Sequence, residues 1–523
     1  MKIIFVTGGV LSGLGKGVAA ASIGHLLSDT YRVGAIKLDG YLNVDPGTMN
    51  PIEHGEVFVL EDGSEVDMDF GHYERFLKTT PTGEHSITMG KVFSTIMSRE
   101  REGDYLGKTV QFVPHVTDHI KERILSCAQK LDVLLVEVGG TIGDIENELY
   151  VEAARQLADD VGANNCLFVH LAYVPRPGWI GEHKTKPAQQ STQLLLQRGI
   201  IPDVIIARCE EPVPEDIKHK IRRFCNCAKV ISGHDLPDVY QIPRNFANQG
   251  LLEVINDTLG LQATYSGSWD TYLEALACPE ETLTIGIAGK YTALEDSYAS
   301  VVEAIKHSCA HVGVAANIVW VETSEDNNVE EVLSDVDAVI VPGGFGSRGI
   351  EGKIRIIQYC RENNVPYLGL CYGLQLAVVE FARNVCKLAG AHTTEVHPDT
   401  KHPVVDILKE QKAVTQKGGT MRLGAYTAQL QKNSLVAGLY DSLTVSERHR
   451  HRYEVNPFYH ETFLEHGLVF SGMYEDLVEF IELPEHPFFV ATQAHPELKS
   501  SLDAPAPVFL GLVRSAKKQL VQH

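Results

Sequence analysis

Along most of its length the chain alternates short apolar runs with longer segments of helical periodicity, and this alternation is what most restricts its fold. In the first half the runs are KIIFVTG, RVGAIKLD, LDVLLVEVGG, NCLFVHLAYV and DVIIARC. They are apolar on both faces, as befits strands of a parallel sheet covered by helices on each side. The pattern lapses over Gln262 to Glu281 (QATYSGSWDTYLEALACPEE) and restarts at LTIGIAGKY. ANIVWVE, DAVIVPGGFG, VPYLGLCYG and PFFVATQAHPE then repeat the theme of strands feeding loops and helices. The reading is two doubly wound α/β domains in series, 1–261 and 282–523, with 262–281 as linker.

A chain of 523 residues exceeds one ordinary core, consistent with that division. Its formal net charge of −22 argues against a nucleic-acid or membrane-surface binder, which needs a basic face. Any cationic pocket is local. The ten cysteines contain no Cys-x-x-Cys pair, and Cys225 and Cys227 are too close for an ordinary zinc clamp, so reduced thiols are expected. The opening MKIIFVTGG is too short in apolar residues for a signal peptide, and no apolar run approaches the roughly 20 residues of a membrane helix. The expected location is cytoplasmic.

The first strand runs into GGVLSGLGKG, Gly8 to Gly17. A strict phosphate loop carries glycine where this chain has Val10, and a Ser or Thr magnesium ligand where it has Gly17. Alone, the stretch fits either a phosphate cradle or a glycine-rich turn. The helical pattern of VAAASIGHLLSD after it favours the cradle, provided a metal is held from other strands.

The most informative stretch is VPYLGLCYGLQLAVVEFARNV. Gly369 and Gly373 stand two before and two after Cys371, which permits a sharp strand-to-helix turn that lifts the thiol out of the sheet. The helix N-terminus that follows favours a thiolate and offers N–H groups to an oxyanion. His495 and Glu497 in ATQAHPELKS lie two apart, so on an extended segment both face one side, with Glu497 orienting His495 and His495 taking the thiol proton. A second glycine turn, Pro342 to Gly346, is placed to add oxyanion donors. A buried cysteine and a satisfied loop histidine are the bland alternative, which the elbow and His-Pro-Glu together disfavour.

PGGFG, GLCYGLQ and HPE resemble the class I glutamine amidotransferases over Leu283 to about Leu512. The resemblance implies that Cys371 attacks the glutamine side-chain amide to give a γ-glutamyl thioester and ammonia. It further implies that Gly344, Tyr372, Gln375, Glu395 and Arg452 hold glutamine. Arg452 ends the basic cluster RHRHR, whose bland alternative is a solvated patch.

The first half carries KLDGYLNVDPGTMNP, HGEVFVLEDGSEVDMDFGHYERF, EVGGTIGDIE and GEHKTKPAQQST at strand ends, where open α/β sheets bind ligands. Glu137 ends an apolar strand and Asp69 sits in DMDFGH, placements that suit a magnesium site, although each taken singly fits a solvated acid. Lys16 and Lys37 can carry charge to a phosphoryl group.

These long ordered strings resemble the CTP synthase family. The fold implied is a P-loop-like parallel-sheet synthase domain followed by a class I glutamine amidotransferase domain. The reaction implied is amination of UTP to CTP with ATP and L-glutamine, through a 4-phosphorylated UTP and channelled ammonia. The resemblance places ATP on Ser12, Gly13, Leu14, Gly15, Lys16, Gly17, Lys37 and Asp69, and Mg²⁺ on Asp69 and Glu137. It places UTP, or CTP as feedback inhibitor, on Ser12, Asp144, Ile145, Glu146, Lys184, Thr185, Lys186, Gln189 and Lys220. GTP activation and a homotetramer are also implied. Gly13, Gly40 and Tyr372 depart from the family's usual wording, as does YVPRPGWIGEHKTKP; Gly40, where proline is usual, is expected to loosen the backbone near Lys37. Two rival readings are an amidoligase acting on a carboxylate and a non-catalytic assembly subunit. KTKP and GTIGDIE oppose the first, and the intact Cys371, His495 and Glu497 oppose the second.

Overall fold

Ile3, Ile4, Phe5 and Val6 are each fully buried, as a central strand covered on both faces requires. They belong to β1 (Lys2–Gly8), and α1 (Lys16–Ser28) and β2 (Val33–Asp39) follow. The computed structural model describes residues 1–49, 55–178, 181–289, 295–323, 328–407 and 421–520. Parts of four segments singled out above (Asn50 and Pro51; His54; Trp179 and Ile180; Lys290 and Tyr291) lie outside the described residues. The chain divides into two units, Met1–Pro46 with Asp69–Ser268, and Gly47–Met68 with Trp269–His523.

In the first unit, α2 (Asp69–Leu77), β3 (Ser86–Thr88), β4 (Val133–Val138), β5 (Cys166–Tyr173), α3 (Lys186–Gln197), β6 (Val204–Cys209), α4 (Glu215–Cys225) and β7 (Lys229–His234) complete the main elements. The seven strands form one sheet in the order β3-β2-β4-β1-β5-β6-β7, parallel throughout. The order reverses direction at β1, so the crevice at its carboxyl end receives the glycine loop. Phe5 stacks on Phe168 at 4.9 Å between ring centroids, pinning β1 to β5. Beyond the five predicted strands, β3 and β7 add one strand at each edge.

In the second unit come β8 (Glu281–Ile287), α5 (Ala299–Val312), β9 (Val314–Trp320), β10 (Ala338–Val341), α6 (Ile350–Glu362), β11 (Tyr367–Leu370) and α7 (Tyr372–Asn384). They are followed by β12 (Arg422–Leu430), β13 (Thr444–His451), β14 (Val469–Tyr474), β15 (Leu477–Glu482), β16 (Phe489–Thr492) and α8 (Pro507–Leu520). The nine-stranded sheet runs β9-β8-β10-β11-β16-β15-β14-β12-β13. Its first five strands are parallel and carry the elbow. The remaining four extend it antiparallel, which the run-by-run sequence reading does not anticipate.

Two differences concern the division of the chain. Gly47–Met68 leaves the first unit and packs with the second, as a hairpin pairing Phe58 with Val66 and Val59 with Glu65. The expected linker is partly helical, over Asp270–Ala277, and its Trp269 is buried. Fully buried aromatics such as Trp269 contribute roughly 1.5–3 kcal/mol each, which explains why this stretch is not a free tether.

Candidate active site

The elbow is built as the glycine spacing requires. Cys371 has φ 50° and ψ −95°, a conformation costing a non-glycine residue about 1–3 kcal/mol. Its N–H donates to Thr492 O at 2.7 Å, and Gln375 N–H donates to Cys371 O at 3.2 Å, so neighbouring elements hold the turn. A Cβ on Gly373 would lie 2.2 Å from Val341 O; one on Gly369 would lie 2.8 Å from Ala491 Cβ and 2.9 Å from the Gly373 carbonyl carbon. Both glycines are demanded by backbone approach.

His495 Nδ1 lies 2.7 Å from Glu497 Oε1. The pairing predicted on an extended segment is made instead across the first turn of a 3₁₀ helix, Pro496–Lys499, because proline after His495 turns the chain. Burial opposes charge on His495, but Glu497 and the Cys371 thiolate outweigh it and raise the imidazole well above its ordinary value. The ring is therefore suited to take up and hold the thiol's proton. Cys371 is 4% exposed, and Gln493 Nε2 stands 3.7 Å from its sulfur.

The basic cluster is no solvated patch: Arg448, His449 and His451 are buried. The Arg448 carbonyl accepts the His495 N–H at 2.8 Å, and the Arg450 carbonyl lies 3.9 Å from Cys371 Sγ. Their guanidinium groups meet the hairpin, Arg448 Nε at 3.1 Å from Glu61 Oε1 and Arg450 Nε at 2.7 Å from Glu65 Oε1. Strand β13 thus carries the nucleophile's and the base's backbone contacts on a register fixed by two ion pairs. On the other side Arg422, itself buried, bridges the buried carboxylates of Glu454 at 2.8 Å and Glu479 at 2.6 Å. Removing one partner of such a buried set costs about 3–5 kcal/mol.

Among the residues assigned to glutamine, Gln375 is buried and its Nε2 donates to Tyr453 O at 2.9 Å. Glu395 Oε1 accepts the Gly346 N–H at 2.8 Å. Tyr372 O–H donates to Gly346 O at 3.0 Å. Gly344 has open space where a Cβ would stand. Arg452 follows β13 directly, and its charge and that of Glu395 both act on Tyr453.

In the first unit the loop Ser12–Gly15 leads into α1, capped at Gly15 with φ 81°. Gly13 has φ 77° and nothing within 4 Å of where a Cβ would stand, so the departure from serine suits its left-handed backbone. Leu14, within the loop, is buried. Lys16 Nζ donates to Gly140 O at 2.8 Å, and Lys37 Nζ to Asp69 Oδ2 at 2.6 Å. A Cβ on Gly17 would lie 2.0 Å from Asp69 Oδ1 and 2.4 Å from Asp69 Cγ. The carboxylate of Asp69 occupies the space that a Ser or Thr side chain fills in the standard loop. Gly40 is crowded rather than loosened, with Asn147 Oδ1 2.6 Å and Glu146 Cβ 2.8 Å from its Cβ position, because the loop after β4 closes over it.

Val10, where the strict motif has glycine, takes φ 82° while 46% exposed. Left-handed geometry costs a side-chain-bearing residue roughly 1–2 kcal/mol, and glycine's added unfolded-state freedom costs about 0.5–1 kcal/mol. Val10→Gly is expected to raise stability by up to about 1 kcal/mol, read as the urea midpoint. A clear loss of stability would show that the Val10 side chain is held by packing.

Glu137 is buried and hydrogen-bonded to the Tyr73 hydroxyl. Burial first, then the charge of Asp69, pushes its carboxyl up to about 8. Burial also opposes the charge of Asp69, but Lys37, His72 and Lys16 hold it below the usual range. The charge of Asp69 acts on Glu137, and two such oxygen donors suit a divalent cation.

Lys184 Nζ pairs with Glu182 at 2.9 Å, and Lys220 lies within electrostatic reach of the same carboxylate. Lys186 opens α3, with Thr185 before it accepting from Gln189 Nε2 at 3.0 Å. Asp144, Ile145 and Glu146 are exposed after β4, at the start of a short 3₁₀ helix, Ile145–Asn147. The structure therefore gathers Lys184 and Lys220 and sets the base-end residues on another element. Sequence reasoning misses the buried chain Thr7 Oγ1, His170 and Ser191 Oγ, at 2.9 and 2.8 Å from the two ring nitrogens, which ties β1 to α3. It also misses Tyr73, Gln493 and the two arginine carbonyls. A lone buried histidine and main-chain carbonyls leave no pattern to read.

A class I glutamine amidotransferase is what the elbow, base and orienting carboxylate define, and the family profile of that description, "Glutamine amidotransferase class-I", matches residues 293–515. The profile described as "CTP synthase N-terminus" matches residues 2–261. The CTP synthase of Thermococcus kodakarensis is 51% identical over 99% of each chain, and that of Methanopyrus kandleri is 49% identical over 99% of each. The chain belongs to the CTP synthase family. Among solved structures, a Trypanosoma brucei CTPS glutaminase domain with bound acivicin is 36% identical, covering 45% of this chain and 94% of that one with a TM-score of 0.43.

Proposed function

We infer that this chain aminates UTP to CTP, consuming ATP, glutamine and water and releasing ADP, phosphate and glutamate. The observation that carries the reading is membership of the CTP synthase family over 99% of the chain. Cys371 attacks the glutamine carboxamide while His495 takes its proton and then delivers it to the departing ammonia. Glu497 holds the imidazole in the tautomer that does so. The N–H of Tyr372 and that of Gly344 receive the oxyanion. Water then hydrolyses the γ-glutamyl thioester with His495 again as base. Gly344, Tyr372, Gln375, Glu395 and Arg452 form the glutamine pocket.

In the first unit the glycine loop Ser12 to Gly17 cradles the ATP phosphates at the α1 N-terminus, with Lys16 and Lys37 on the transferring phosphoryl group. Asp69 and Glu137 are the residues that hold Mg²⁺, whose charge neutralises the phosphate oxygens when it is bound. Lys184, Lys186, Gln189 and Lys220 grip the UTP triphosphate, with Thr185 capping that helix and Asp144 to Glu146 at the base end. Phosphorylation of O4 makes an oxygen that can leave, so ammonia adds at C4 and phosphate departs. Channelled ammonia, feedback by CTP, activation by GTP, a homotetramer and a cytoplasmic location complete the proposal. No helix among the described residues is long and apolar enough to cross a membrane.

The test is a spectrophotometric assay of UTP and ATP with glutamine, then with ammonium chloride. CTP from both supports the reading. ATP consumption without CTP in either arm would favour an amidoligase of other substrate, and no turnover at all a non-catalytic subunit.

A further inference from the structure

The loop Pro342–Gly346 carries one of the oxyanion donors and lies beside the base: a Cβ on Gly343 would stand 2.7 Å from His495 Cε1. On the other side, at Gly344, that position is open. A glycine loop between a catalytic ring and open space needs something to fix it, since glycine restricts its own backbone least.

The peptide groups of Gly346 are held from both ends. Its N–H donates to Glu395 Oε1 at 2.8 Å, and its carbonyl accepts from the Tyr372 hydroxyl at 3.0 Å. Gly346 itself is left-handed, with φ 85°. Tyr372 is the residue after the nucleophile, so its own N–H, at the start of α7, is the other oxyanion donor. Its ring is 3% exposed, with Lys353 Nζ 5.5 Å above the centroid, and has little freedom to swing away. An aliphatic side chain here could fill the space and could not donate.

We propose that the Tyr372 hydroxyl is a positioning group that fastens the Gly343–Gly346 loop to the nucleophile elbow, so that both halves of the oxyanion hole are set before glutamine arrives. The inference rests on the glutaminase reading above and gives the Tyr372 hydroxyl a task in addition to that residue's place in the glutamine pocket. Burial and the nearby Glu395 carboxylate raise the phenol, which keeps it a donor across the neutral range. Preorganised donors act on the transition state, and a loop that must be ordered by substrate loses part of that advantage.

The experiment is Tyr372→Phe in the full chain, with kcat and KM measured for glutamine and CTP formation followed from glutamine and from ammonium chloride. Iodoacetamide alkylation of Cys371 reports on the nucleophile without using the loop. The expected result is a fall in kcat/KM for glutamine of about five- to tenfold, the effect of one lost hydrogen bond. Alkylation and the ammonia-driven rate are expected to stay at the unsubstituted level. A kcat/KM within twofold of the unsubstituted chain would overturn the proposal. A parallel loss of the ammonia-driven reaction would also overturn it, since the hydroxyl would then be supporting the fold rather than the loop. Failure of the underlying reading is distinct: the unsubstituted chain would itself make no CTP from glutamine.

Discussion

Replacing Cys371 with alanine is expected to abolish CTP formation from glutamine while synthesis from added ammonium chloride persists. In the proposed mechanism the sulfur is the atom that forms the thioester, and no other nucleophile stands in the elbow; His495, paired with Glu497, then has no thiol proton to take. Loss of such a nucleophile costs at least about 10³-fold, or ~4 kcal/mol of transition-state stabilisation. Alanine keeps the Cβ and fits the buried site, so the strained turn survives. The residues proposed for the ammonia-driven reaction, Lys16, Lys37, Asp69 and Glu137, all lie in the first unit. Parallel steady-state assays with the two nitrogen donors check this. Full glutamine-dependent activity in the variant would remove Cys371 from the mechanism, and loss of both activities in a folded variant would contradict two separate centres.

The second large effect is expected at the glycine that ends the phosphate-type loop. Gly17→Ala puts a methyl group 2.0 Å from Asp69 Oδ1 and 2.4 Å from its Cγ, where no atom can remain. Asp69 has to leave, and the 2.6 Å bond from Lys37 Nζ goes with it. Displacing the lysine and the carboxylate proposed for phosphate and metal by an ångström is enough for about a 10²-fold loss. CTP formation is expected to fall at least that far with either nitrogen donor, while hydrolysis of glutamine to glutamate continues. Retention of more than a tenth of the ammonia-driven rate would show that Asp69 has room to move without cost. A thermal melt run alongside separates a damaged site from a damaged fold.

Much of the molecule is readable from local pattern. The strand runs named from the sequence appear as strands, because buried parallel strands are continuous apolar runs and each declares itself within about six residues. The elbow is readable for a related reason: glycines two residues either side of Cys371 answer to atoms of β10, β16 and the elbow itself, and the turn they make is local. The antiparallel half of the second sheet is less readable. Strands such as β12 and β13 mix buried and exposed residues irregularly and carry charged residues into the interior. Arg448 and His449 look like surface residues until their partners are known. Gly40 misleads in the opposite direction, since a missing proline suggests looseness and the space is filled by Glu146 and Asn147.

The ending Gly15-Lys16-Gly17 shows where local pattern stops and long-range packing takes over. A parallel α/β framework, a phosphate-type loop at a strand end and a cysteine on a sharp turn are all specified by residues a few positions apart, so the amino-acid order alone suffices for them. That Asp69, far along the chain, fills the place of the missing loop hydroxyl emerges only from the folded molecule. So do the seating of Gly47–Met68 against β13 and the reach of the Tyr372 hydroxyl across to Gly346. These are meetings of distant segments, selected by burial and by partners for buried charge, and such selections have no period along the chain.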